Sequence, residues 1–186
     1  MNMNKFTYIG LILFFIYIGL FTNILGINEN DTNEYNTKVN NKNKIPNQLT
    51  AHKAKALVIT CMNFRLIDDA VYYLNKIGYT NNYDEFILAG ASLGYNQTKY
   101  SAWTETLDTH IGLAKKLHDI KEIIVIDHMS CGAYKIFYNK ESITEQDEIE
   151  LHKQNFITFK QTINKKYPEL TVTTLLMKLD GSVTEY

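Results

Sequence analysis

Two cysteines and one histidine stand where this chain could hold a metal: Cys61, His128 and Cys131. The second pair forms a His-x-x-Cys step. Two thiolates and one imidazole make a soft, tetrahedral donor set suited to zinc. Three protein ligands leave a fourth position for water, as in catalytic rather than closed structural sites. Zinc lowers the pKa of such a water towards ~7, which supplies hydroxide at neutral pH. By spacing alone the same residues also fit two buried thiols acting as small hydrophobes, or a single disulfide. Two cysteines are too few for a disulfide-stapled domain.

The flanking sequence predicts the elements that must position these side chains. Residues 56–60 (ALVIT) form a short apolar run and read as a buried strand ending just before Cys61. Residues 122–127 (EIIVID) read as another strand, ending just before His128. Further strands are predicted at 85–89 and 171–179. Helices are predicted at 66–77, with apolar residues at 67, 70, 71, 74 and 77, and at 103–117. A third helix runs from a capping-box-like Thr144-Glu145-Gln146-Asp147 to Lys166, before Pro168. Strand-helix alternation of this kind implies an α/β fold, a mostly parallel β-sheet flanked by helices. In open parallel sheets ligands bind beyond the carboxyl ends of the strands. Neighbouring strands at 56–60 and 122–127 would therefore bring Cys61 to His128 and Cys131.

Cys61-Met62-Asn63-Phe64-Arg65 at one strand end, a Gly90-Ala91 loop, and His128-Met129-Ser130-Cys131-Gly132 at another strand end resemble the β-class carbonic anhydrase family. The resemblance covers about residues 55–138 and, more loosely, the remainder. It implies Zn2+ held by Cys61, His128 and Cys131, and reversible hydration of carbon dioxide to bicarbonate by zinc-bound hydroxide. Asn63 and Arg65 occupy the family's catalytic polar positions. Gly132 stands at the glycine whose backbone N–H is associated with substrate. The family fold forms tight dimers, so a homodimer is expected.

The chain departs from the family pattern at position 63, where Asn63 replaces an aspartate. Asn63 is nearly isosteric and its carbonyl can still accept a hydrogen bond, but it carries no charge and cannot act as a base. Arg65 then lacks its usual counter-ion and is expected to bind an anion or to pair with Asp68 or Asp69. The Ala89–Gly94 loop lacks the Arg-Asn usual in the family. The alternatives are a catalytically impaired zinc domain of the same fold, or a hydrolase of a carbon dioxide analogue such as carbonyl sulfide or carbon disulfide. Asp127, His110, His118, His52 and His152 read as turn, surface or packing residues.

The rest of the chain sets the context. Residues 6–27 are apolar without an internal charge, preceded by Lys5 and followed by Glu29, Asp31 and Glu34. That pattern fits a signal peptide or a transmembrane signal anchor over 1–27, with the folded part exported. Residues 28–50 read as an Asn-rich flexible linker. Residues 51–186 form the zinc domain, membrane-anchored or secreted and extracytoplasmic. That domain holds 15 Lys+Arg and 17 Asp+Glu, a net charge of -2, and so has no electrostatic footprint for nucleic acid.

Overall fold

The structure is a computed structural model and describes residues 52–186. The expected signal or anchor at 1–27 and the linker at 28–50 lie outside the described residues. No helix among the described residues is long and apolar enough to cross a membrane.

Four parallel strands and one short antiparallel strand form a single sheet in the order β2-β1-β3-β4-β5. They are β1 (Ala56–Thr60), β2 (Tyr83–Ile87), β3 (Glu122–His128), β4 (Thr171–Met177) and β5 (Val183–Glu185). The helices are α1 (Ile67–Lys76), α2 (Ser92–Tyr95), α3 (Ser101–His118), α4 (Gly132–Phe137) and α5 (Glu145–Lys166). The α/β class expected from the sequence is therefore the observed one.

β1 and most of β3 are buried on both faces, which explains why they read as unbroken apolar runs. Successive strand side chains alternate between faces. Leu57, Ile59, Ile123 and Val125 join Leu107, Ile111, Phe156 and Phe159 of α3 and α5 in one core. Ala56, Val58, Ile124 and Ile126 join Ala70 and Leu74 of α1 in the other. β1 lies between β2 and β3, so the chain leaves β1 towards one side of the sheet and resumes on the other. The gap between the ends of β1 and β3 is thus a topological switch point, where such sheets place their ligands.

β2 starts and ends two residues earlier than its expected 85–89 span. It is an edge strand with partly exposed residues, so apolar character marks its limits poorly; the ladder still continues through Leu88 N–H donating to the Thr60 carbonyl at 2.9 Å. The helix start at Thr144 is as expected: its hydroxyl accepts from Asp147 N at 3.2 Å. Gly94 is required by proximity, because a Cβ there would collide with the Ala89 carbonyl oxygen.

Candidate metal centre

Thr60 pairs in register with Ile126, so Cys61 emerges from β1 level with Asp127, one residue before His128. Beyond His128 the chain turns through Ser130 at φ 59 and enters α4 with Cys131 as its N-cap. The metal-binding atoms of Cys61, His128 and Cys131 all lie within 4.8 Å of one another. The two sulfurs are 3.9 Å apart. Tetrahedral zinc with bonds of about 2.3 Å to sulfur needs roughly 3.8 Å between them, so the donor set fits that ion in spacing as well as in chemistry.

His128 is turned for the task. Its Nδ1–H donates to the Met129 carbonyl at 2.8 Å, so in the neutral ring Nε2 is the nitrogen left free for a metal. Gly90 N–H donates to Cys61 Sγ at 3.3 Å. Without metal, the Cys131 thiol hydrogen-bonds Cys61 and holds its pKa down at about 4, helped by His128 and Gly90 against the opposing effect of burial. The same contact, followed by burial, raises Cys131. Burial pulls His128 down, but its contacts with Cys61 and Met129 outweigh it and the net direction is up. A divalent cation favours both thiolates and a neutral imidazole together, so metal uptake releases protons.

Asn63 and Arg65 sit at the rim. Asn63 Oδ1 accepts from Arg65 backbone N at 3.0 Å and from Arg65 Nε at 3.1 Å. Its Nδ2 faces His128 Nε2 at 3.4 Å. The Asn63 carbonyl accepts hydrogen bonds, as its chemistry allows, and the donors are both on Arg65. Arg65 Nη2 donates to the Ser130 carbonyl at 3.2 Å. The expected pairing of Arg65 with Asp68 or Asp69 does not form, because the guanidinium is drawn across the turn to Asn63 and Ser130 instead.

A cavity of about 900 Å³ opens over the cluster, lined by Cys61, Asn63, Arg65, His128, Cys131 and Gly132 together with Met62, Phe64, Tyr100, Trp103, Ile136 and Phe137. Tyr100 and Trp103 stack with ring centroids 4.7 Å apart, and Phe137 meets both edge-on. Gly132 is not forced by crowding, since a Cβ there would meet nothing within 4 Å.

Behind the cluster lies a buried polar network in which Asp127 and His152, expected as turn and packing residues, are joined by Ser92, Tyr134 and Glu148. Asp127 and His152 are fully buried, each at 0% exposure. The Asp127 carboxylate accepts from Ser92 N at 3.0 Å, Ser92 Oγ at 2.6 Å, Tyr134 Oη at 2.8 Å and His152 Nδ1 at 2.9 Å. Glu148 Oε1 accepts from Cys131 N at 3.0 Å and lies 4.0 Å from His152 Nε2. Burial, then the Asp127 charge, pushes the Tyr134 phenol well above its ordinary range. The network ties α2, α4 and α5 to the end of β3, and so fixes the loop that carries His128 and Cys131. A signal for it exists in the sequence: Glu148, His152 and Asn155 share one helical stripe with Phe156, Phe159 and Ile163.

The mostly parallel sheet thus carries a Cys-His-Cys cluster at its switch point, a candidate metal centre in an α/β fold. The family model described as "Putative carbonic anhydrase" matches residues 51–185, and the chain belongs to that family. It is 38% identical over 137 residues to an uncharacterized protein of Rickettsia conorii, covering 73% of this chain and 74% of that one. It is 37% identical over 137 residues to an uncharacterized protein of Rickettsia bellii, covering 73% and 84%. Among solved structures, the carbonic anhydrase of Streptococcus mutans aligns with a TM-score of 0.46 at 14% identity, over 84% of this chain and 95% of that one. A β-carbonic anhydrase of Trichomonas vaginalis aligns with a TM-score of 0.45 at 16% identity, over 84% and 95%.

Proposed function

We propose that the protein is a zinc-dependent carbonic anhydrase, catalysing the reversible hydration of carbon dioxide to bicarbonate. One observation carries the proposal: Cys61, His128 and Cys131, from two different strand ends, converge at the spacing of a tetrahedral zinc site beneath an open cavity. When bound, Zn2+ would supply a water whose pKa is lowered towards ~7. The chain's own residues do the rest. Met129 holds the His128 ring so that Nε2 is the ligand atom. The aromatic wall of Tyr100, Trp103 and Phe137 suits a small apolar gas. The Gly132 N–H at the start of α4 offers a donor to a product oxygen, and Arg65 supplies positive charge on the same side. Asn63 orients Arg65 in place of a carboxylate, without a proton-accepting role.

Met62, Phe64 and Ile136 at the cavity mouth are exposed, Phe64 to 82%. Such a fringe supports the homodimer, with a second copy covering it; sedimentation as a monomer would end that part of the proposal. The apolar run at 6–27 extends the proposal to an exported or membrane-anchored enzyme, for which recovery in the cytosolic fraction would be the contrary result.

Stopped-flow hydration of carbon dioxide tests the activity. The zinc-loaded protein is expected to exceed the buffer rate, and the same sample stripped with a chelator to fall back to it. Loss of one proton-accepting group at position 63 is expected to hold the rate roughly 100-fold or more below that of an Asn63→Asp variant. Equal rates with and without metal would refute the proposal.

A further inference from the structure

We infer that the open side of this centre selects small anions that have no proton to donate, because Asn63 presents amide N–H groups there where a carboxylate would present only acceptors. The inference rests on the metal-binding reading of Cys61, His128 and Cys131 proposed above. Its own basis is the fixed orientation of the Asn63 amide. Oδ1 accepts from Arg65 N at 3.0 Å and Arg65 Nε at 3.1 Å. Both of those groups can only donate. Flipping the amide would set its NH2 against two N–H groups, so the oxygen stays on Arg65. Nδ2 is thereby turned to His128 Nε2, 3.4 Å away, the atom offered to the metal.

A ligand arriving beside His128 Nε2 therefore meets a donor. An atom with a lone pair and no hydrogen gains a hydrogen bond from Nδ2. An atom that must itself donate finds hydrogen opposed to hydrogen. Charge acts in the same direction. Arg65 hydrogen-bonds two neutral groups, the Asn63 amide and the Ser130 carbonyl, and among the described residues it forms no ion pair. A divalent ion balanced by two thiolates leaves the Arg65 charge uncancelled, whereas an aspartate at position 63 would cancel it. The apolar lining weakens screening and strengthens both effects. The ligand class is a small monovalent anion bound through an unprotonated atom, such as thiocyanate, azide or the deprotonated oxygen of bicarbonate.

The test uses the full chain loaded with cobalt(II), with cobalt per chain measured first, and follows thiocyanate binding through the visible absorption of the metal. Asn63→Leu is neutral and of similar size but lacks the donor, and is expected to bind thiocyanate about 10-fold more weakly than the natural protein. Asn63→Asp loses the donor and cancels the Arg65 charge, and is expected to bind about 100-fold more weakly. Loaded protein in which Asn63→Leu and Asn63→Asp bind thiocyanate as tightly as the natural chain overturns this inference alone. A natural protein that takes up no cobalt overturns the metal reading and this inference with it.

Discussion

Cys61→Ala and His128→Ala are expected to lower zinc affinity by about a thousandfold or more and to reduce carbon dioxide hydration to the buffer rate. Each substitution leaves two ligands from the cluster, and two cannot define a tetrahedral site. Cys61→Ala also removes the one ligand that the β1 end supplies, whereas His128→Ala leaves Cys61 and Cys131, a thiolate from each strand end without the imidazole. The fold itself should survive in Cys61→Ala. Cys61 is only partly buried and packs at the margin of one core, whose buried members are other residues. Metal content after dialysis, measured beside thermal unfolding, separates loss of the ion from loss of the fold. Full zinc retention by Cys61→Ala would contradict its place in the centre.

Asp127→Ala is expected to destabilise the protein by roughly 3–5 kcal/mol, a loss of the size seen when one member of a buried charged network is removed. The side chain is wholly buried and receives four hydrogen bonds from Ser92, Tyr134 and His152. Without it, two hydroxyls, one backbone N–H and an imidazole N–H are left in the core with no acceptor. Asp127→Asn keeps the shape but sets amide hydrogens against some of those donors, and should fall between the two. Urea unfolding reads the difference as a shift in midpoint. Because α2, α4 and α5 meet at this carboxylate, the variant should also lose zinc more readily than the natural protein under mild denaturant. A midpoint within about 0.5 kcal/mol of the natural protein, the range of an ordinary surface substitution, would show that the network carries no such weight.

Much of this architecture is legible in the sequence because β1 and β3 are buried on both faces and read as unbroken apolar runs. Their ends are marked by the residues that do chemistry, so Cys61, His128 and Cys131 can be placed together before any register is known. The helices at 67–76, 101–118 and 145–166 announce themselves by period and, for the last, by the Thr144 cap. The one- and two-turn helices α2 and α4 are too short to show a period. β5 is a three-residue edge strand with little to distinguish it from a loop. At the site, residue type at position 63 was readable but the direction of its amide was not, since that depends on Arg65 folding back across the turn. Asp127 and His152 are hard to recognise in the sequence for a related reason. A lone histidine on a helix and a carboxylate at a strand end are ordinary features until the tertiary fold puts them 2.9 Å apart in the core.

Zinc K-edge X-ray absorption on the zinc-loaded protein tests the central claim most directly. The expected first shell has two sulfurs at about 2.3 Å and two nitrogen or oxygen atoms at about 2.0–2.1 Å, one of them from His128 and one from solvent. A shell with no sulfur, or zinc that washes out before the measurement, would contradict a metal centre built from Cys61, His128 and Cys131.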